Sequence, residues 1–588
     1  MYAMRTVFVL AFLVLAVPVL AAPREKPPMD NVPDVYGGGL LMAYSGLDGR
    51  TSWTVPCVAS AVGGKLAFQF HLPGDPILTI SLPGRGLADL HWLMASGDTL
   101  VAQVPAEETS LVVAFASDNT LVGRLPPRCT ITMKGGDGRS QLMRRDSKGQ
   151  TFFSFAYHPD GPLPAAAAAN FGLKVSIDTL VERRAAFFDK APRPADTRNL
   201  RRARALAKAF SILKTNLCSP EGDITTPWTT PDRWPHRNMW LWDSAFHSLG
   251  LMHLDPALAR NALLAVYAFQ AEDGFIPHMM GPTVRSDISP PPILAWAAWR
   301  VYQQDRRHHD QQFLQTSFDV AQRHVLWFFN NRRLDGPVPP TKPVEYGTPL
   351  FRWHGADESG QDNSPRFDSG PDFAALDLSC YIANECRTLH SMAQTLGYGE
   401  LAKAWDRRAE AVAAAARRCL WDPDRGFFFD RRGPDGPWID VWSSAGFLPL
   451  WAGIATPDQA GRLLGHLRDP AKFATAFPVP SVARDDPQYQ PDMWRGPTWI
   501  NLNYLIIHGL QACGYASDAA DLREKTLAAV SAWYDKTGCF WEFYDADGRT
   551  PPPDLDRKQR LARKTGLPVV ADYNGTAALF ADLLLRPE

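Results

Sequence analysis

Beyond about residue 198 the chain becomes a succession of helical stretches separated alternately by long loops and short turns, and this alternation constrains the fold more than any other feature. Apolar residues recur at spacings of three and four, as in DLREKTLAAVSAWYD at 521–535. The spacing predicts about twelve helices, near 198–217, 241–253, 255–270, 290–304, 310–331, 371–396, 398–420, 441–452, 456–467, 496–513, 516–536 and 572–586. Loops at 218–240, 271–289, 332–370, 421–440, 468–495 and 537–571 are rich in Trp, Pro and acidic residues, whereas Leu254-Asp255-Pro256 and Gly397-Tyr398-Gly399 are tight turns. Helices paired this way, with the long loops gathered at one end, close into an (α/α)6 toroid whose crater those loops line.

The N-terminal third has a different period. Runs such as KLAFQFHL, DPILTISL, DTLVAQV, TSLVVAFAS, QTFFSFAYH and FGLKVSI are short, β-branched or aromatic, and mostly bounded by Gly, Pro, Asp or Asn. Their spacing predicts an antiparallel β-sandwich over 35–182. The stretch 183–197, with Pro192 and Pro194, is the expected linker to a catalytic domain at 198–588. Residues 1–21 have the form of an export signal: Arg5, an apolar run from Val7 to Leu20, and Ala21 at the cut position. The Pro-rich residues 22–34 then form a linker, and the mature chain is expected in the periplasm or medium with no membrane span.

The formal net charge is −1, so no electrostatic footprint for nucleic acid exists. The eight cysteines show no CxxC or Cys/His spacing for zinc, and no EF-hand pattern is present, so no metal or cofactor is implied. In an oxidising compartment, Cys57 and Cys129 are the first pair to test for a disulfide.

Chemistry concentrates in the loops. The stretch from Trp353 to Asp368 carries Asp357, Glu358, Asp362 and Asp368 among helix-breaking Gly355, Gly360, Asn363 and Pro365. Crowded carboxylates repel, which favours a neutral acid able to donate a proton. Asp243, flanked by Trp240, Trp242 and Phe246, enters a helix either as its cap or as a grip on sugar hydroxyls beside stacking rings. Gln270 ends a helix at the same rim. Trp494, Arg495 and Trp499 open another helix, where Arg495 orients a polar group or makes a structural ion pair. Glu542 lies between Trp541 and Phe543, in an apolar setting that shapes its charge and water access. Two carboxylates beside stacking rings suit glycosidic bond cleavage, one protonating the leaving oxygen while the other activates water or attacks the sugar carbon.

At four motifs the chain resembles glycoside hydrolase family 63, which includes processing α-glucosidases and mannosylglycerate or glucosylglycerate hydrolases. They are MWLWDSAFH at 239–247, ESGQDNSPRFD at 358–368, WRGPTWINLNYL at 494–505 and FWEFYD at 540–545. The resemblance implies an (α/α)6 catalytic domain behind a β-sandwich, and inversion at an α-linked anomeric carbon. It implies Asp362 as general acid, Glu542 as general base and Asp243 as the carboxylate holding the glycone. The expectation is therefore an exported inverting α-glycosidase acting on an α-glucoside or α-mannoside, with a small carbohydrate as its partner. Trp240, Trp242, Phe246, Gln270, Glu358, Trp494, Arg495 and Trp499 are the further expected sugar contacts. A polysaccharide lyase on a similar barrel would rely instead on Arg495 and Tyr573. A non-catalytic glycan-binding protein would bind without cleavage.

Overall fold

The computed structural model describes residues 40–586, apart from 53–55, 63–64, 83–89, 105–106, 136–138, 197, 306–308 and 565. The expected signal and linker, 1–21 and 22–34, lie outside the described residues. Two antiparallel sheets come first. One has the order β1 (Leu40–Met42), β2 (Cys57–Val62), β3 (Lys65–Phe70), β4 (Ile77–Ser81) and β9 (Thr130–Lys134). The other runs from β10 (Arg139–Arg145) through β11 (Thr151–Tyr157), β8 (Thr120–Leu125), β7 (Leu111–Ser117) and β6 (Thr99–Gln103) to β5 (His91–Ala95). Alternation along β3 and β4 sends Leu66, Phe68, Leu78 and Ile80 into a common core with Leu100, Val113, Leu121 and Phe155 of the second sheet. Cys57 and Cys129, the first pair to test for a disulfide, belong to this core but are unbonded, as are all eight cysteines. Burial in apolar surroundings pushes the Cys129 thiol up to about 11.

The strand expected over FGLKVSI is not there. Residues Pro162–Gly172 form helix α1 and Ile177–Lys190 form α2, which extends into the expected linker. The run of five alanines at 165–169, Pro162 in the first turn and the Ser176 cap on the Thr179 amide favour helix locally. Both helices cover the outer face of the second sheet, where Ile177 and Leu180 meet Val101, Val112 and Val122.

The remaining helices are α3 (Leu200–Thr215), α4 (Leu241–Leu254), α5 (Pro256–Tyr267), α6 (Leu294–Gln304), α7 (Gln311–Asn331), α8 (Leu376–Thr395), α9 (Gly399–Cys419), α10 (Leu448–Trp451), α11 (Pro457–Leu467), α12 (Ile500–Ala512), α13 (Ala516–Thr537), the single turn α14 (Arg560–Arg563) and α15 (Asn574–Leu585). Packing closes an inner ring in the order α4, α6, α8, α10, α12, α15 and back to α4. Outside it, α5, α7, α9 and α13 each back the inner helix that precedes them, α3 backs α15, and α11 follows α10 in sequence. Inner α4, α12 and α15 are apolar nearly all round, whereas outer α9 keeps Arg, Glu and Lys on its free face, as an inner and an outer layer require.

Because each pair turns back through a short connection at one end, the inner helices all begin at the other, where the long loops gather. At the turn end, Asp582 of α15 accepts from His253 of α4 at 2.7 Å and from the Tyr504 hydroxyl of α12. Gly250 lets α4 approach α15: a Cβ there would lie 2.6 Å from the Cα of Ala578. Gly250→Ala is therefore expected to destabilise the toroid by about 1–3 kcal/mol despite its better helix propensity. Its midpoint in urea unfolding checks this.

Candidate active site

The acidic loop is held by buried charge. The guanidinium of Arg366 donates to Asp377 at 2.8 Å and to both oxygens of Asp430 at 2.6 and 3.0 Å, all beneath the surface. A buried cation between two carboxylates is sustained only because every partner is hydrogen-bonded. Gly360 takes φ +71°, and a Cβ there would lie 2.2 Å from the Trp242 ring, so only glycine lets the loop rest on α4. The expected mutual repulsion of the four acids does not arise. Glu358 is buried against Arg332 at 2.7 Å and accepts the amides of Ser289 and His354. Asp368 pairs with Arg495, Asp362 pairs with Lys558, and Asp357 is exposed. Glu358 is thus a structural carboxylate rather than a sugar contact.

Asp362 and Glu542 come together through one strap of chain. Asn363, beside Asp362, accepts the Trp494 amide on its Oδ1 at 2.9 Å, and its carbonyl accepts from Arg495 at 3.2 Å. Asp362 remains partly exposed, with Lys558 Nζ 2.7 Å from its Oδ2. Glu542 is 4% exposed. Arg557 grips it with two parallel bonds, Nε to Oε2 at 2.9 Å and Nη2 to Oε1 at 3.1 Å, and the Val570 amide adds a longer one to Oε2. Consecutive residues Arg557 and Lys558 therefore hold the two candidate carboxylates, and Arg557 lies within the electrostatic reach of both. Asp492 fixes the strap by accepting the amides of Lys558 and Gln559 at 2.7 and 3.2 Å. Lys558 and Gln559 have φ of 55° and 60°, an uncommon conformation without glycine that this carboxylate supports.

Asp243 is the third residue of α4, so it does not cap that helix; Trp240 stands at the cap position. Its Oδ1 accepts from the Tyr573 hydroxyl at 2.7 Å. Burial pushes its carboxyl up to about 6, with the Tyr573 bond and nearby His236 pulling the other way. His236 Nδ1 lies 2.7 Å from Asp232. Burial pulls that imidazole down, but Asp232 outweighs it and the net shift is upward. Beneath this group, fully buried Lys208 of α3 pairs with Asp572 at 2.7 Å. Asp572 also accepts the Leu41 amide of β1, at 3.1 Å. The sandwich thereby braces the residue next to Tyr573.

The other expected sugar contacts divide by exposure. Trp242, Phe246, Trp494 and Trp499 are buried in the toroid core. They form a floor rather than open stacking faces: Trp494 lies parallel to Trp499 at 3.9 Å, Trp499 meets Phe543 at 5.1 Å, and Trp242 lies 6.5 Å from Trp494. This floor joins the Asp243 helix to the loop carrying Glu542. Trp240 stays partly exposed and meets His236 edge-on at 5.6 Å. Gln270 commits its amide nitrogen to the carbonyls of Val320 and Gly274. Arg495 forms a bidentate pair with Asp368 at 2.8 and 2.6 Å. Both serve the scaffold. Sequence reasoning missed Arg557, Lys558, His236 and His278. The His278 ring lies within the electrostatic reach of Asp362, and its Nδ1 is buried with no partner among the described residues. His236 and His278 do stand in the aromatic and acidic runs at 233–247 and 270–278, but Arg557 and Lys558 had no local signal.

Paired carboxylates at the crater of an (α/α)6 toroid define the class as a glycoside hydrolase, and comparison with known proteins agrees. The model of the mannosylglycerate hydrolase MGH1-like glycoside hydrolase domain matches residues 236–550. The chain belongs to this family, glycoside hydrolase family 63. It is 26% identical over 417 residues to the mannosylglycerate hydrolase of Thermus thermophilus, covering 58% of this chain and 94% of that protein. It is also 26% identical over 396 residues to a probable mannosyl-oligosaccharide glucosidase of Schizosaccharomyces pombe, covering 55% of this chain and 48% of that one. The crystal structure of the Thermus thermophilus family 63 mannosylglycerate hydrolase with glucose superposes with a TM-score of 0.51 at 25% identity, covering 63% of this chain and 98% of its own. The sandwich, Trp234, Arg557, Lys558 and Tyr573 lie outside the residues matched by the family model.

The raised Asp243 carboxyl has a stability consequence. With its folded value near 6 and an ordinary value of 3.8, ionising it costs the folded state more as pH rises between those two values. Asp243→Asn removes that cost. The variant is expected to gain stability over the parent from pH 4 to pH 6, by about 3 kcal/mol at most, while losing activity. Thermal unfolding across that range, beside a turnover assay, measures both.

Proposed function

We propose that the protein is an exported α-glycosidase that hydrolyses an α-glucoside or α-mannoside with inversion. The observation carrying this reading is the strap that holds Asp362 and Glu542 by adjacent cations. The two carboxylates are thereby given different settings. Glu542 is buried and held in orientation by Arg557, with lone pairs on Oε1 left for a water, as a general base requires. Asp362 is partly exposed and held by a lysine side chain that is itself 45% exposed and can swing away. A leaving-group oxygen approaching Asp362 displaces Lys558, and the freed carboxylate takes up a proton from solvent, which it then delivers to that oxygen as the bond from the anomeric carbon to it breaks. Glu542 meanwhile removes a proton from water on the opposite face of the sugar. One displacement of this kind inverts the anomeric carbon. Asp243, oriented by Tyr573, accepts glycone hydroxyls.

Relatives named for mannosylglycerate hydrolysis and mannosyl-oligosaccharide glucosidase activity support an α-glucoside or α-mannoside, and make glycerate glycosides the first substrates to assay. The apolar N-terminal run supports export to the periplasm or medium. Mass spectrometry of the mature N-terminus after expression in a Gram-negative host tests this, with cleavage after Ala21 as the expected result.

Asp362→Asn and Glu542→Gln are each expected to lower kcat by at least about 100-fold on the true substrate while the circular dichroism spectrum is kept. Proton NMR of the first-formed sugar from an α-glycoside should show the β-anomer. A variant retaining near-normal turnover would refute its residue's role, and an α-anomer would refute inversion.

A further inference from the structure

Trp234, 47% exposed, is the most exposed tryptophan among the described residues. It stacks on His71, which lies between β3 and β4 of the sandwich. The ring centroids are 4.3 Å apart and the planes 10° from parallel. One indole face is therefore covered and fixed, and the exposed area belongs to the rest of the ring. Burial pulls the His71 imidazole down to about 4, so it is neutral near pH 7 and the stack carries no charge.

The loop on either side of Trp234 is rigidly held. Arg233 is buried and donates to the carbonyls of Tyr44 at 3.1 Å and Thr215 at 2.9 Å. On the other side, Asp232 accepts the His236 amide at 2.9 Å in addition to its ring. His236 is within the electrostatic reach of Glu542 and touches Trp240, three residues before Asp243. Trp234, His236, Trp240 and Asp243 thus run from the junction of sandwich and toroid into the crater.

A single open indole is too small to serve as an apolar protein interface, and Arg237, three residues further along the same loop, brings a charged pair with Glu221 at 3.2 Å. The indole suits the flat C–H face of a pyranose, whose hydroxyls need polar neighbours around the ring. Trp234 and His71 both lie outside the family-matched residues 236–550.

We propose that the Trp234–His71 stack is an outer sugar-binding subsite, built where the sandwich meets the toroid. It takes a pyranose ring beyond the two flanking the cleaved bond, so the preferred substrate is an α-linked oligosaccharide longer than a disaccharide. This rests on the glycosidase reading above and makes it more specific.

The test compares kcat/KM of the full-length chain on α-gluco- and α-manno-disaccharides with that on their tri- and tetrasaccharide homologues. The parent is expected to favour the longer chains, and Trp234→Ala to lower the long-over-short ratio about tenfold through KM. Trp234→Tyr, which keeps a flat ring, should retain most of the ratio. His71→Ala, which frees the indole but leaves it in place, should lower the ratio less than Trp234→Ala. A parent with no length preference overturns the proposal, as does a Trp234→Ala variant whose activities fall in equal proportion on every chain length. If the parent cleaves no α-glycoside, the glycosidase reading fails separately. Calorimetric binding of the tetrasaccharide to the Asp362→Asn protein, with and without Trp234, then decides the subsite: Trp234-dependent binding supports it, and Trp234-independent or absent binding overturns it.

Discussion

The inner ring brings the start of every inner helix to one end of the molecule, and this orientation governs the site. A helix N-terminus exposes unpaired amides and the positive end of its dipole, so carboxylates are stabilised there. Glu385 of α8 accepts the amides of Ala295 and Trp296 at the start of α6; burial pushes its carboxyl up to about 7, outweighing these amides, which pull it down. Asp430 does the same for Leu376 at the start of α8. Asp243 and Asp377 stand in the first turns of their own helices. The crater is acidic for a structural reason before any chemistry is asked of it.

Most of these acids are spent on the scaffold. Glu358, Asp368, Asp377 and Asp430 each meet an arginine. Removing one partner from the buried pairs of Glu358, Asp377 or Asp430 costs about 3–5 kcal/mol, so these pairs define the loop positions closely, whereas the pair of half-exposed Asp368 is worth less. Asp243, held by a tyrosine, and Asp362, held by a lysine that solvent can reach, are the acids left available. Glu542 differs from both. It is buried, and Arg557 bonds both its oxygens and so sets which way it is turned. That contrast between two carboxylates is what acid and base roles need. The sandwich contributes to the same end. Leu41 bonds Asp572, Tyr44 bonds Arg233, and His71 stacks on Trp234, so the domain supports the crater wall on one side.

Legibility in the sequence followed the range of the interaction. Helices α3 to α9, α11 to α13 and α15 follow a 3.6-residue period that local spacing reveals, and they fall within a few residues of their expected limits, whereas the helix expected over 441–452 is only a 3-10 turn at Ser444–Phe447 followed by the single turn α10 at Leu448–Trp451. Besides the single turn α14, two helices, α1 and α2, were hidden. FGLKVSI has the β-branched and aromatic look of a strand, yet it spans the end of α1 and the start of α2, where the alanine run before it and the Ser176 cap prevail. Aromatic residues were legible as clusters but not as open or covered faces. Trp242, Trp494 and Trp499 carry the same local signature as a sugar platform, and only packing shows them to be the floor.

The sequence alone determined the toroid, the sandwich and the identity of the two candidate acids. Each is written in local periodicity or in a short contiguous motif. Tertiary structure alone decided what those acids touch. Arg557 lies fifteen residues from Glu542, Lys558 nearly two hundred from Asp362, and Asp572 more than five hundred from Leu41. No local pattern encodes such pairs, because the burial that makes a charge seek a partner exists only once the ring has closed.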